Sequence, residues 1–230
     1  MANNRSKFSY SLFVLTLILI VPSIIYFYVT KGSNNFIHLE IIGEQDHNIN
    51  TFSFINQDNK IITNDSLQGN IYVANFFFTS CPTICPIMTK NMAYLQDELS
   101  QYDNIRFLSH TVDPINDTPQ KLRYYIEKEM KAKNVNIDLS NWDFLTGEKT
   151  DLYDIARLYL LASPNADELA PGGFIHSEYF VLIDKEGRIR SGIDRNKNIR
   201  GAYDGTNEIH MKDLINDIKV LMAEYKKPRK

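Results

Sequence analysis

The chain contains two cysteines, Cys81 and Cys85, which are separated by three residues and are each followed by a proline. Two thiols at this spacing allow a redox-active disulfide, a structural disulfide or half of a metal site. A structural disulfide is the least favoured, because closing so short a loop removes little entropy from the unfolded chain. The usual redox motif has two intervening residues. The wider spacing still allows a disulfide, and it also lets both sulfurs bind one soft ion such as Cu(I) or Zn(II).

The residues around the cysteines predict that the pair lies between a buried strand and a helix. The run 71–78 is rich in apolar, β-branched and aromatic residues, as in a strand buried on both faces. Pro86 disfavours helical geometry at the preceding residue and suits the start of a helix, so we expect a helix from about Pro86 with Cys85 as its cap. The positive end of that helix would stabilise a thiolate. Met88 and Met92 share its apolar stripe and are expected in the core.

The rest of the chain alternates buried strands with amphipathic helices. Strands are expected at 71–78, 105–112 and 142–147, hairpins at 51–63 and 177–193, and helices at 119–133, 148–161 and 211–225. Asp117 or Thr118 is expected to cap the helix that begins at Pro119. Asp113, at the end of the preceding strand, would form a turn or orient a neighbouring ligand or docking partner. The order predicts an α/β domain of thioredoxin-like architecture, with a central mixed sheet flanked by helices and an N-terminal β-hairpin.

Either soft metal needs a further ligand, and the chain has five histidines. Four are expected to have other roles: His38 and His47 at the surface, His110 in the core, and His210 at the surface or capping the last helix. His176 is the candidate ligand, because it lies between a loop of small residues and the strand "SEYFVLID". In a thioredoxin-like sheet this loop faces the cysteine loop.

The residue before His176 also bears on the choice between redox and metal chemistry. Thioredoxin-like disulfide oxidoreductases carry a cis-proline immediately before this strand, whereas this chain has Ile175 and His176 there. The nearest proline, Pro171, lies five residues earlier. A potential ligand therefore stands where the redox proteins have proline, which favours a metal site.

The N-terminal segment predicts a membrane anchor. Residues 8–30 contain no charged side chain, and about 20 apolar residues suffice for a helix to cross a bilayer. No convincing cleavage site follows, so a single-pass anchor over 1–30 is favoured over a cleaved signal peptide, with a linker over 31–50 and the thioredoxin-like domain over 51–226. Arg5 and Lys7 favour a cytoplasmic N-terminus. The domain is then expected outside the cytoplasm, on the periplasmic side of the cell (inner) membrane, where thiols can be oxidised.

The charge distribution argues against a nucleic-acid partner. The formal net charge is −3, and basic residues are scattered among acidic ones except in the tail "KKPRK". A short basic tail is typical of a solvated chain end.

Four stretches resemble the Sco/SenC family of membrane-anchored copper proteins in order and spacing: "FTSCPTICP", "VDPINDTPQKLRYY", "FLTG" and "FIHSEYFVLIDKEGRI". The resemblance runs from about residue 51 to 220. It implies a thioredoxin-like fold, a role in assembling the dinuclear copper site of cytochrome c oxidase, and copper ligation by Cys81, Cys85 and His176. The copper would be Cu(I), with Cu(II) as an alternative. The implied partners are the copper-site subunit of the oxidase and other copper carriers or thiol reductants.

The chain departs from the common family pattern at two positions. Many members have Asp where this chain has Thr83 and where it has Ile175. Losing a nearby carboxylate would alter metal affinity, redox potential or docking without removing a ligand. Three hypotheses stay open: a copper chaperone that is not an enzyme, a thiol-disulfide oxidoreductase using Cys81 and Cys85, and a Cys2His zinc site.

Overall fold

A computed structural model of the protein describes residues 3–32, 38–44, 47–49, 51–161, 178–194 and 196–226. The chain divides into two compact units, one that contains the N-terminal helix and one that spans Leu39–Met222. The second unit contains the sheet and both cysteines.

The described strands of this unit form one sheet. In chain order they are β1 Glu40–Ile42, β2 Ser53–Asn56, β3 Ile61–Thr63, β4 Ile71–Phe77, β5 Ile105–Thr111, β6 Trp142–Thr146, β7 Tyr179–Ile183, β8 Ile189–Ser191 and β9 Tyr203–Asp204. The order across the sheet is β1-β8-β7-β4-β5-β6-β2-β3, and β9 pairs with β7. The pairs β4–β5 and β5–β6 are parallel and the others are antiparallel. The predicted mixed sheet is confirmed.

The helices pack on both faces of this sheet. They are α2 Asn64–Leu67, α3 Ile84–Glu98, α4 Pro119–Tyr124, α5 Lys149–Leu158 and α6 Glu208–Lys226, and α4 continues as a π-helical segment, Tyr125–Met130. On one face, α5 packs against alternate residues of β4 such as Ala74 and Phe76. On the other, the ring of Tyr125 lies 5.7 Å from that of Phe77. Every residue of β4 is therefore buried, which explains its nearly continuous apolar sequence.

One of the two predicted caps of α4 is confirmed, whereas two other predicted boundaries differ from the structure. Thr118 is the N-cap of α4: its hydroxyl accepts the Lys121 N–H over 3.3 Å, and Pro119 is the first helical residue. The expected linker contributes β1, which pairs with β8 through the register Ile41↔Arg190. The helix predicted over 119–133 becomes π-helical after six residues.

The N-terminal unit contains α1, Asn3–Gly32, with Pro22 inside the helix. The apolar side chains described along it are exposed, among them Phe13, Ile18 and Ile24. Searched over the described residues, no helix has both the length and the apolar character needed to span a membrane.

Candidate metal centre

The two cysteines lie where β4 ends and α3 begins, as predicted. A short loop leaves β4 after Phe77, and its turn is closed by a hydrogen bond from Cys81 N–H to the Phe78 carbonyl over 3.2 Å. Helix α3 begins at Ile84, two residues before the predicted start, so Cys85 is in the first turn and the prediction that it caps the helix is wrong. Pro86 is tolerated inside this turn because the first N–H groups of a helix have no intrahelical acceptor.

Cys81 supplies an acceptor for one of these free helix donors. The backbone N–H of Cys85 points to Cys81 Sγ at 3.5 Å, and the hydroxyl of Thr83 lies 3.9 Å from the same sulfur. Both cysteines are free thiols and both are buried, with exposed fractions of 8% for Cys81 and 3% for Cys85. The two sulfurs are therefore held side by side at the positive end of a helix.

The pKa values of the two thiols are shifted in opposite directions. Burial opposes ionisation of Cys81, but hydrogen bonds from the side chain and backbone of Cys85 and from Thr83 outweigh it, so the pKa of Cys81 is lowered. Burial raises the pKa of Cys85 to about 12, with further contributions from the hydrogen bond with Cys81 and from the charge of Asp117. Cys81 is thus the more acidic thiol of the pair and Cys85 the less acidic one.

Asp117 connects the cysteine loop to the neighbouring strand, a role that sequence reasoning missed. Its carboxylate is fully buried and accepts hydrogen bonds from the Thr79 N–H over 3.1 Å, the Thr79 hydroxyl over 2.5 Å and the Thr111 hydroxyl over 2.5 Å. A signal was present in the sequence: Asp117 and Thr118 are adjacent candidates for one helix cap, and only one of them can occupy that position.

Asp113 forms the turn between β5 and α4. Its carboxylate accepts both contacts from the Asn116 side-chain amide, at 2.8 and 3.0 Å, and its carbonyl accepts the N–H groups of Asn116 and Asp117. This geometry matches the turn-forming role, one of the two expected from sequence.

Buried side chains pack around α3 in the turns that follow Cys85. Thr89, one turn along α3, is hydrogen-bonded to the Tyr125 hydroxyl at 3.0 Å, and burial raises the Tyr125 pKa above its ordinary value. Met88 and Met92 are fully buried, which confirms their prediction as core residues. The side of Cys85 that faces along α3 is therefore closed by packed side chains.

The histidines within the described residues have roles other than ligation of this pair. His110 is fully buried, as predicted, with its ring between Phe54 and Phe76. His38 is exposed, and His210 Nδ1 accepts the Asp204 N–H at 2.9 Å. His47 departs from its predicted surface role, since it is half-buried and its Nε2 lies 2.6 Å from the Leu158 carbonyl.

The candidate third ligand, His176, and its neighbours Pro171 and Ile175 lie outside the described residues. Strand β7 follows that segment and runs antiparallel to β4, with Ala74 opposite Val181. The first residues of β7 therefore lie at the same end of the sheet as the last residues of β4, which the cysteine loop follows. Within the described ranges, no group of three or more His, Cys, Asp or Glu side chains could hold a metal ion.

The chain resembles proteins of one family along most of its length. The SCO1/SenC family model matches residues 42–210. The SCO1 protein homolog of Bacillus subtilis is 33% identical over 179 residues, which are 76% of this chain and 82% of that protein.

Solved structures agree with this match. A SCO1/SenC family lipoprotein from Bacillus anthracis superposes with a TM-score of 0.60 at 31% identity, covering 80% of this chain and 99% of that one. BsSco, a member of the Sco family of cytochrome c oxidase assembly proteins in which a disulfide switch is identified, superposes with a TM-score of 0.60 at 30% identity and covers 80% of this chain and 98% of its own. The predicted α/β architecture is that of these proteins, and the chain belongs to the SCO1/SenC family.

Proposed function

We propose that the protein binds copper outside the cytoplasm and delivers it to, or prepares the cysteines of, the dinuclear copper site of cytochrome c oxidase. The observation that carries this proposal is the pair of free, adjacent thiols at the start of α3, with the Cys85 N–H directed at Cys81 Sγ. Membership of a family that includes oxidase assembly proteins supports the choice of partner.

The proposed ligands are Cys81, Cys85 and His176. Two thiolates and one neutral imidazole form a soft set suited to Cu(I), and the site would carry a net charge of about −1. The lowered pKa of Cys81 makes it the first sulfur to bind, whereas Cys85 must release a proton. The entry of the chain into β7 at the edge where β4 ends supports a ligand from just before that strand.

Copper delivery would then proceed by ligand exchange. A three-coordinate ion leaves room for an incoming thiolate of the accepting protein, and each new bond replaces one to this chain. If an oxidised partner, such as a protein disulfide, takes two electrons from the Cys81 and Cys85 thiolates, the two sulfurs join as a disulfide and the partner disulfide takes up two protons to become two thiols. This removes both sulfur ligands and releases the metal. The redox state of the pair therefore controls whether copper is held.

The second candidate function is thiol-disulfide exchange on a copper protein. The asymmetry of the pair favours it: the Cys81 thiolate would attack a partner disulfide, and Cys85 would resolve the mixed disulfide after losing its proton. The partner disulfide is reduced to two thiols by two electrons, and Cys81 and Cys85 are oxidised to a disulfide. The disulfide switch of BsSco is consistent with such chemistry.

Cu(I) titration of the reduced full-length protein in detergent, against a chelating indicator, tests the proposal. We expect one Cu(I) per chain, with His176→Ala weakening affinity at least about tenfold and His38→Ala, at an exposed histidine, leaving it unchanged. Unchanged affinity in His176→Ala, together with efficient disulfide reduction, would favour the oxidoreductase. Stoichiometric zinc that resists Cu(I) competition would favour a zinc site instead.

We also propose that residues 1–30 anchor the protein in the membrane. The absence of charge over 8–30 and the exposed apolar side chains of α1 support this. Alkaline extraction of membranes tests it: the full chain should stay with the lipid pellet, and a chain lacking 1–32 should be released. Release of the full chain would refute the anchor.

A further inference from the structure

Within the described part of the chain, uncharged residues form the surface of the two loops next to Cys81. The loops that follow β4 and β5 leave neighbouring parallel strands, and Val112 N–H binds the Phe77 carbonyl at 2.9 Å where they separate. We call their outer residues the thiol rim, and its members are Pro82, Thr83, Ile87, Pro114, Ile115 and Asn116. None of them carries a charge.

Charged side chains begin outside the rim. Along α3 the first is Lys90, along α4 it is Lys121, and ahead of β7 it is Glu178. The two acidic residues inside the second loop, Asp113 and Asp117, are buried. The carboxylate of Asp113 accepts hydrogen bonds from Asn116, and that of Asp117 accepts them from Thr79 and Thr111. Among the residues that the structure describes, the side chains beside the thiols are thus uncharged, although the chain as a whole is rich in charge.

Ile115 is the most exposed large apolar side chain described, at 83%. Its loop is held on both sides, because Asp113 binds Asn116 and Asp117 binds Thr79 of the cysteine loop. An isoleucine on a braced loop can be buried by a partner with little loss of conformational freedom. A partner that covers this side chain would remove apolar surface from water and so gain free energy of binding there.

We propose that the thiol rim is the docking surface for the copper-accepting protein, whose own cysteine ligands lie in a matching uncharged, apolar surface. This inference deepens the proposed function and rests on it. Because Cys81 is only 8% exposed, an incoming sulfur can reach a metal bound there only if the partner lies against Pro82 and Thr83. Ile115, two residues from the Asp117 carboxylate that binds Thr79, is the apolar anchor beside that approach.

The test measures association and copper transfer separately. The full-length protein in detergent is titrated, reduced and copper-free, with the soluble copper-site domain of the oxidase subunit, and transfer from the Cu(I)-loaded protein is then followed. Ile115→Lys should weaken association at least about tenfold. Its own Cu(I) affinity should stay within about twofold, since Ile115 is not one of the proposed ligands. Ile61→Lys, at a 66% exposed isoleucine on β3, is the matched control and should behave as wild type.

An uncharged interface also predicts a weak dependence on salt. Association should change less than about threefold between about 0.05 and about 0.5 M NaCl. Equal association of Ile115→Lys and wild type, an equal loss in Ile61→Lys, or a steep salt dependence would overturn the docking surface. The docking surface would also be overturned if wild type self-associated and Ile115→Lys did not, because the thiol rim would then bind a second copy of this chain. Rim-dependent association without copper transfer would support the docking surface and count against copper delivery.

Discussion

The carboxylate of Asp117 binds Thr79 twice, through the backbone N–H at 3.1 Å and the hydroxyl at 2.5 Å. Thr79 lies two residues before Cys81, and Asp117 lies two residues before the first residue of α4. One buried side chain therefore ties the cysteine loop to the end of β5 and the start of α4. The shape of the candidate site depends on this connection as well as on the strand that precedes it.

Replacing Asp117 with alanine should loosen the cysteine loop. The Thr79 N–H and the hydroxyls of Thr79 and Thr111 would lose their buried acceptor, at a cost of about 2–4 kcal/mol in the free energy of unfolding. Hydrogen exchange at the amides of 78–83 should accelerate at least about tenfold, and Cu(I) affinity should fall. Thr118→Ala is the matched control, because it removes the cap of α4 and leaves the loop contacts intact. Equal exchange in the two variants would contradict the connection.

The sequence was sufficient to predict the strands that position the cysteines. Strands β4 and β5 lie at the centre of the sheet with helices on both sides, so their burial forces an apolar pattern that can be read directly. Cys81 and Cys85 follow β4 immediately, and their location needed no information from distant residues. The burial of His110, Met88 and Met92 was predicted for the same reason.

Other features depended on contacts between residues far apart in sequence. The role of Asp117 rests on Thr79, 38 residues away, and local pattern alone made it a helix cap. Strand β1 is short and forms only by pairing with β8, whose residues lie 147 or more positions later in the chain. The sequence prediction started α3 at about Pro86 because proline disfavours helical geometry at the residue before it. The helix begins at Ile84, since proline is tolerated in the first turn, where the N–H groups have no intrahelical acceptor.

The unequal acidities of the thiols predict selective alkylation. Limited treatment of the reduced protein with iodoacetamide near neutral pH should label Cys81 in preference to Cys85, because thiolates react and the pKa of Cys81 is lowered whereas that of Cys85 is raised to about 12. The labelling rate at Cys81 should rise through a pKa below that of an ordinary thiol. Thr83→Val should raise this pKa by removing one hydroxyl contact to the sulfur. Peptide mass spectrometry measures the ratio, and a majority of label on Cys85 would refute the assignment.

A buried polar chain beneath the site should be sensitive to single substitutions. Ser109 donates its hydroxyl to Asn75 Oδ1 at 2.7 Å and accepts the Trp142 Nε1–H at 3.0 Å, linking β4, β5 and β6. Ser109→Ala leaves both partners buried without this bond, so we expect a loss of about 2–3 kcal/mol in the free energy of unfolding. Chemical denaturation followed by the fluorescence of Trp142, the single tryptophan, measures it. A change below about 0.5 kcal/mol would mean that the two hydrogen bonds of Ser109 contribute no net stability.

His110 should make the domain less stable in mild acid. Burial lowers its pKa to about 3, from an ordinary value near 6.5, and within the described structure its Nδ1 has no hydrogen-bond partner. As the pH falls below about 6.5 the unfolded chain binds a proton that the native state does not accept, so stability present above that pH is progressively lost. Between about pH 7 and about pH 5 the loss attributable to this group is about 2 kcal/mol.

Replacing His110 with phenylalanine removes this dependence while keeping a ring between Phe54 and Phe76. The free energies of unfolding of wild type and His110→Phe should therefore diverge as the pH is lowered, with the variant losing less stability. His38→Gln, at an exposed side chain, serves as the control and should follow wild type at each pH. Parallel curves for His110→Phe and wild type from about pH 7 to about pH 5 would show that His110 is protonated equally in the native and unfolded states. A neutral His110 also keeps positive charge out of the packed layer beside β4, where its ring lies 5.3 Å from that of Phe76 and its Nε2 is 3.4 Å from the Tyr159 hydroxyl.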